Sequence, residues 1–211
     1  LDLSLFCDLI IGDYNYLFDP MVYLQRFFTI EDQSNFFLID EAHNLVSRSR
    51  AMYSAVVEQA LVIQAQELFE SSTTDVDSKQ VKRRLTQLDN EFELIHQAFK
   101  NQTEDYMVEY SPLDGLEKAM LNFNEVVREW LPKQPDNDLT NTMLDLFFAN
   151  NKYIKISEYF DESYRILIQN PEDNIKIEEQ ILDPSPYLDA SLKKGRGAIF
   201  FSATLSPVEY Y

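Results

Sequence analysis

The chain has 211 residues, 45% of them hydrophobic and 13% aromatic, enough to bury a core in one or two domains. Its formal charge of −18, from 18 Lys and Arg against 36 Asp and Glu, argues against this stretch being the main phosphate-binding surface of a nucleic-acid protein. The single cysteine excludes a disulfide framework, and no apolar run approaches the ~18 residues that would span a bilayer.

Cys7–Gly12 reads as a strand, and Asn15–Phe18 as a helix or turn closed by Asp19-Pro20. Met21–Phe28 reads as a short amphipathic helix carrying Val22, Leu24, Phe27 and Phe28. Phe36-Phe37-Leu38-Ile39 puts four apolar residues in a row, the pattern of a strand buried on both faces of a parallel sheet. Asp40, Glu41 and His43 follow where that strand should end.

From about 47 to 161 the pattern turns helical. Met52, Val56, Ala60 and Ile63 recur at helical spacing. Val81, Leu85, Leu88, Phe92, Ile95 and Phe99 form a heptad-like stripe on a long helix capped by Ser78. Ser111-Pro112-Leu113-Asp114 opens a helix bearing Leu116, Met120, Phe123, Val127 and Trp130, which Leu131-Pro132 ends. A linker over Lys133–Asp138 precedes a fourth helix with Leu139, Met143, Leu146 and Phe147. Four such helices suggest an elongated helical domain rather than a sheet. Tyr164–Ile168 and Ile175–Ile177 then alternate as a hairpin around Asn170–Asp173. Ser185-Pro186 caps a short helix that Gly195 stops. A last apolar strand, Gly197–Phe201, runs into Ser202-Ala203-Thr204, and Pro207 suits a helix start.

The two strand ends carry the chemistry. In an open α/β sheet ligands bind at the carboxyl ends of strands. There Asp40 suits a Mg²⁺ ion, held through water, and Glu41 suits a base that orients or deprotonates an attacking water. Each piece alone has a plainer reading. An acidic pair after a strand often sits at a helix N-terminus, His43 fits a hydrogen-bonded loop histidine, and a Ser or Thr after a strand fits a helix cap.

Asp40-Glu41-Ala42-His43 resembles the Walker B motif of superfamily 2 helicases, and Ser202-Ala203-Thr204 resembles their motif III. From Asp40 to Ser202 is 162 residues, far more than one crossover needs, so an insertion lies between the motifs. That insertion resembles the Arch domain of the XPD/DinG-like iron–sulfur DNA helicases. Cys7-Asp8-Leu9-Ile10-Ile11-Gly12-Asp13-Tyr14-Asn15-Tyr16 and Leu182-Asp183-Pro184-Ser185-Pro186-Tyr187-Leu188 are similar to that family's segments before motifs II and III. The resemblance covers 1–46 and 175–211 by motif and the middle by position and helical character.

The resemblance implies an α/β fold: a partial P-loop-type parallel sheet of helicase core 1 with a large inserted α-helical, Arch-like domain. The expected segments are 1–46 core with motif II, 47–162 insertion, and 163–211 return to the core with motif III. It implies a 5′-to-3′ ATP-dependent DNA helicase in which Asp40 anchors Mg²⁺, Glu41 activates water, and His43, Ser202, Ala203 and Thr204 couple ATP to DNA. Single-stranded or forked DNA would be the partner. Asp13, Tyr14 and Asn15 are candidates for facing DNA or for a structural role. Lys79, Lys82, Arg83 and Arg84 form a local basic cluster, either DNA-facing or a solvated helix face.

A [4Fe–4S] cluster needs several thiolates, so the resemblance places it upstream of residue 1, with no iron–sulfur ligand here. Cys7 is expected as a small buried hydrophobe. No G-x-x-x-x-G-K-[ST] phosphate loop and no arginine-bearing motif VI occurs, so these 211 residues alone are expected to neither bind ATP tightly nor hydrolyse it. Starting at Leu1, the chain is expected to be an excised piece of a monomeric cytoplasmic protein, nucleoid-associated if bacterial. Two alternatives stay open: an acidic helical platform for a repair partner, or part of a nuclease–helicase fusion.

Overall fold

A computed structural model describes residues 6–22, 27–28, 35–71, 76–100 and 104–203. The expected Met21–Phe28 helix falls largely outside these residues, as do Thr204 and the helix start at Pro207. In chain order the elements are α1 (Asn15–Phe18), β1 (Phe36–Ile39), a 3₁₀ turn (Ala42–Asn44), α2 (Leu45–Met52), β2 (Ala55–Glu58), α3 (Gln59–Ser71) and α4 (Val76–Phe99). They continue with β3 (Tyr106–Glu109), α5 (Asp114–Trp130), α6 (Asp138–Ser157), β4 (Tyr164–Gln169), β5 (Lys176–Ile181), α7 (Ser185–Leu192) and β6 (Gly197–Phe200). The architecture is mixed α/β, with a small parallel sheet and several helices. The chain divides into two compact units, Leu1–Tyr53 with Ile181–Tyr211, and Ser54–Gln180.

The first unit holds β1 and β6, paired in parallel with Phe36 opposite Gly197 and Ile39 opposite Phe200. The strand pattern resolves differently from expectation. Ile39 is buried, whereas Phe36, Leu38 and Ile199 are exposed, so β1 buries one face and not two. Successive strand residues point to opposite faces, and only the Ile39 side meets a core. Cys7–Gly12 is not a strand. A strand needs a neighbour's amides and carbonyls, and among the described residues β1 pairs with β6 alone. Leu9 and Ile11 are accordingly exposed, as is Cys7, which was expected to be buried. The end of α2 meets α7 through stacked Tyr53 and Tyr187 rings 4.9 Å apart, and Arg50 donates to the Leu182 carbonyl at 3.3 Å.

In the second unit α3 packs on α4 and α6, α4 on α5, and α5 on α6, closing a ring of four helices. The stripe Val81, Leu85, Leu88, Phe92 and Phe99 is buried as its spacing predicts, and so are Leu116, Met120, Phe123, Val127 and Trp130 of α5. The unit is not purely helical, however: β2, β5, β4 and β3 form a four-stranded sheet in that order. Val56 explains the miss. Its spacing from Met52 and Ala60 imitates a helix, yet Ala55–Glu58 alternates buried and exposed and pairs antiparallel with β5.

β4 and β5 join this sheet, and the compact units divide at 53/54 and 180/181. Three expected caps also move, Ser185 among them, since it lies inside α7 and makes no side-chain cap. Ser78 lies inside α4, where its hydroxyl meets Trp130 Nε1 at 3.4 Å, and α5 begins at Asp114 with no side-chain cap. A capping box forms at Asn137, whose side chain accepts from Thr140 N at 3.0 Å while Thr140 Oγ1 accepts from Asn137 N at 2.9 Å.

Candidate functional site

The carboxyl ends of β1 and β6 meet, and the two sequence motifs meet with them. Phe201 N donates to the Ile39 carbonyl at 3.0 Å, and Ala42 N donates to the Phe201 carbonyl at 3.1 Å, which extends the ladder past both strands. This pairing brings residues 159 positions apart into contact: His43 Nδ1 lies 2.8 Å from Ser202 Oγ. His43 Nδ1 also lies 3.1 Å from Glu41 Oε2, and Ser202 Oγ donates to the same Oε2 at 3.4 Å. Glu41, His43 and Ser202 therefore form a closed triangle with the carboxylate as acceptor. A proton on Nδ1 satisfies the triangle, since it faces the carboxylate and the hydroxyl oxygen while the hydroxyl hydrogen turns to Glu41.

The backbone sets this geometry. Glu41 sits at φ 51° and ψ 39°, a left-handed conformation that non-glycine residues seldom adopt. It turns the chain from β1 into the 3₁₀ turn and holds Glu41 in reach of Ser202. Asp40 Oδ1 accepts from the Glu41 amide at 2.7 Å, which braces that turn. Asp40 and Glu41 are both exposed at the strand end. The hard carboxylate oxygens of Asp40 suit Mg²⁺, which keeps several waters and substrate phosphates in its shell. Among the described residues no group of three His, Cys, Asp or Glu side chains forms a cage for a metal.

The Glu41 and Ser202 contacts of His43 both fall on Nδ1.

Tyr14 and Asp13 lie beside this end of the sheet. The Tyr14 hydroxyl donates to the Asp40 carbonyl, and the Arg48 guanidinium sits over the Tyr14 ring at 5.4 Å. Arg48 also reaches Asp13 at 3.9 Å, an exposed pair worth little by itself. Burial, ahead of the opposing effect of Arg48, pushes the Tyr14 phenol up from its ordinary value. Asp13 Oδ1 accepts from Asn15 N at 3.3 Å, so Asn15 stands in a local turn. Arg48 carries no motif, and the sequence offered no signal for its role.

Ala203 is exposed after β6, and Thr204 lies outside the described residues. Lys79, Lys82, Arg83 and Arg84 belong to α4 in the other unit. There Lys82 pairs with Glu70 at 3.5 Å and Arg84 donates to Gln87 at 2.9 Å, while Lys79 and Arg83 are exposed. With one cysteine in the chain, four-thiolate ligation of an iron–sulfur cluster cannot come from these residues. No helix among the described residues is long and apolar enough to cross a membrane.

Comparison with known proteins bears on the same segment. No curated protein matches the chain. Residues 2–62 match the DEAD_2 family model, which marks the stretch containing Asp40, Glu41 and His43 as a DEAD-box-like, helicase-related domain.

Proposed function

We propose that this chain is part of an ATP-dependent DNA helicase of the XPD/DinG-like kind, contributing its water-handling acids and the unit inserted between motifs II and III. The observation that carries this reading is the Glu41–His43–Ser202 triangle, 2.8–3.4 Å on each side, at the carboxyl ends of two parallel strands. Glu41 accepts the proton of the attacking water. Asp40, with the nucleotide's own phosphates, offers oxygens to Mg²⁺, which when bound would neutralise charge on the transferred phosphoryl group. His43 and Ser202 hold the Glu41 carboxylate, so any movement of β6 reaches the base directly. The inserted unit frames the path of one DNA strand, and unwinding runs 5′ to 3′. The phosphate loop and the iron–sulfur cysteines belong to other parts of the longer protein.

The test is a double-mutant cycle on DNA-stimulated ATP hydrolysis in the longer protein. His43→Ala and Ser202→Ala should each lower stimulation several-fold, with the double variant no worse than the poorer single one. Multiplying effects would separate the two residues and undo the coupling role.

The charge of −18 favours a second reading, a docking platform for a basic repair partner. Salt-dependent binding of single-stranded DNA by the 211-residue chain would speak for the DNA path. No binding at low salt, with a basic partner recovered, would speak for docking.

A further inference from the structure

The buried face of β5 breaks its own pattern. Ile177, Glu179 and Ile181 point inward, and the middle residue is a carboxylic acid with no exposed surface. At the last turn of α6, Ser157 Oγ donates to Glu179 Oε2 at 2.6 Å. One turn earlier lies Tyr153, fully buried, its hydroxyl directed at the Glu179 carboxyl. From the first turn of α5, Glu117 reaches the same Ser157 hydroxyl, with Asp114 adding negative charge beside it. Oε1 of Glu117 and Oε1 of Glu179 are buried without partners. On β2 the residue opposite Glu179 is Ala55, and the buried face of β4 adds one titratable group, Tyr164. Among the described residues no Lys, Arg or His forms an ion pair with Glu117 or Glu179.

The hydrogen count decides the protonation. Ser157 and Tyr153 bring two hydroxyl hydrogens, while two ionised carboxylates are acceptors only. Two like charges would then face each other across one serine in a site with no cation, and burying an unpaired charge is strongly unfavourable. Protonating Glu179 removes the repulsion and adds a third hydrogen. We propose that Glu179 is an acid-set lock on the inserted unit: as a neutral acid it lets β5 close against α6, and its ionisation as the pH rises loosens that packing. This lock is independent of the helicase reading.

The direction of the pH effect follows. Burial, with Glu117 adding to it and Ser157 opposing, pushes Glu179 from 4.5 up to about 7. A folded-state value above the unfolded one means that folding takes up a proton between them. Stability is complete below about 4.5, falls as the pH climbs through that window, and levels off above about 7. The unfolding constant should rise on the order of a hundredfold across it.

The sole tryptophan, Trp130, is buried in this unit, so its fluorescence in the 211-residue chain follows the unit's unfolding. Urea midpoints measured from pH 5 to 8 should fall for the wild type. Glu179→Gln keeps the neutral shape and should flatten that curve, ending above the wild type at pH 8. His96 is common to both chains, so the difference isolates Glu179. Should Glu179→Gln not fold, Glu117→Gln removes the facing charge and should shrink the wild-type loss. A wild-type midpoint constant over this range, or unchanged pH slopes in these variants, would overturn the lock.

Discussion

Gly195 should be the most sensitive backbone position in the first unit, for reasons of contact. A Cβ there would stand 2.4 Å from Phe37 Cε2, 2.9 Å from Phe37 Cζ and 2.9 Å from the Asn35 carbonyl oxygen. Carbon atoms in contact sit about 3.5–4.0 Å apart, so the first overlap exceeds ~1 Å. The ring is braced: Phe37 meets Phe28 edge-on at 6.1 Å, and Lys194 lies over Phe28 at 5.4 Å. The carbonyl is also engaged, since Asn35 O accepts from Arg196 N at 2.7 Å where the β1–β6 ladder begins. Gly195→Ala must displace one or both. Overpacking costs about 1–3 kcal/mol and a strained hydrogen bond about 1 more, so about 2–4 kcal/mol of local stability should go.

Hydrogen exchange read by mass spectrometry reports this directly. Amides in 36–44 and 196–203 should exchange roughly 30-fold to 1,000-fold faster, limited by whatever protection the wild type has. Gly115→Ala is the contrasting control. Its Cβ would meet the Glu91 carboxylate, Oε2 at 2.5 Å and Cδ at 3.3 Å, the movable end of a side chain, and alanine favours a helix by about 0.5–1 kcal/mol. Unchanged exchange in both segments of Gly195→Ala would refute the idea that this close approach sets the ladder that delivers Ser202.

Asn137→Ala removes the capping box of α6 and should cost about 1 kcal/mol by urea unfolding followed at Trp130; a change below ~0.3 kcal/mol would show that the cap is idle. Replacing Lys79, Lys82, Arg83 and Arg84 together should flatten the salt dependence of single-strand binding by roughly 3 in logarithmic slope if all four meet phosphate. An unchanged slope would assign them to a solvated face, as the Lys82–Glu70 pair already suggests for one of them.

Helices were the most legible part of the sequence where one stripe repeated over several turns, as from Val81 to Phe99. Short elements were harder. Val56 fits a helical spacing and a strand alternation equally well over four residues, and the antiparallel partner that decides between them lies more than a hundred residues on. Glu179 was illegible for a related reason: a carboxylate in Lys-Ile-Glu-Glu-Gln-Ile looks solvent-facing until the register of β5 turns it inward. Asp40, Glu41, His43 and Ser202 could be picked out because their residue types at strand ends have few other uses in combination. Their mutual distances, the left-handed Glu41 and the Arg48–Tyr14 contact depend on the β1–β6 pairing, which no local pattern encodes.

The central claim is that Glu41 is the base of a nucleotide-hydrolysing site. The direct measurement is Mg²⁺-dependent ATP hydrolysis by the proposed longer protein with its phosphate loop, wild type against Glu41→Gln. A positioned general base contributes about 10²–10⁴-fold, so the account predicts turnover lowered at least a hundredfold with ATP and DNA binding retained. Turnover unchanged by Glu41→Gln would contradict it, as would ATP hydrolysis by the 211-residue chain alone.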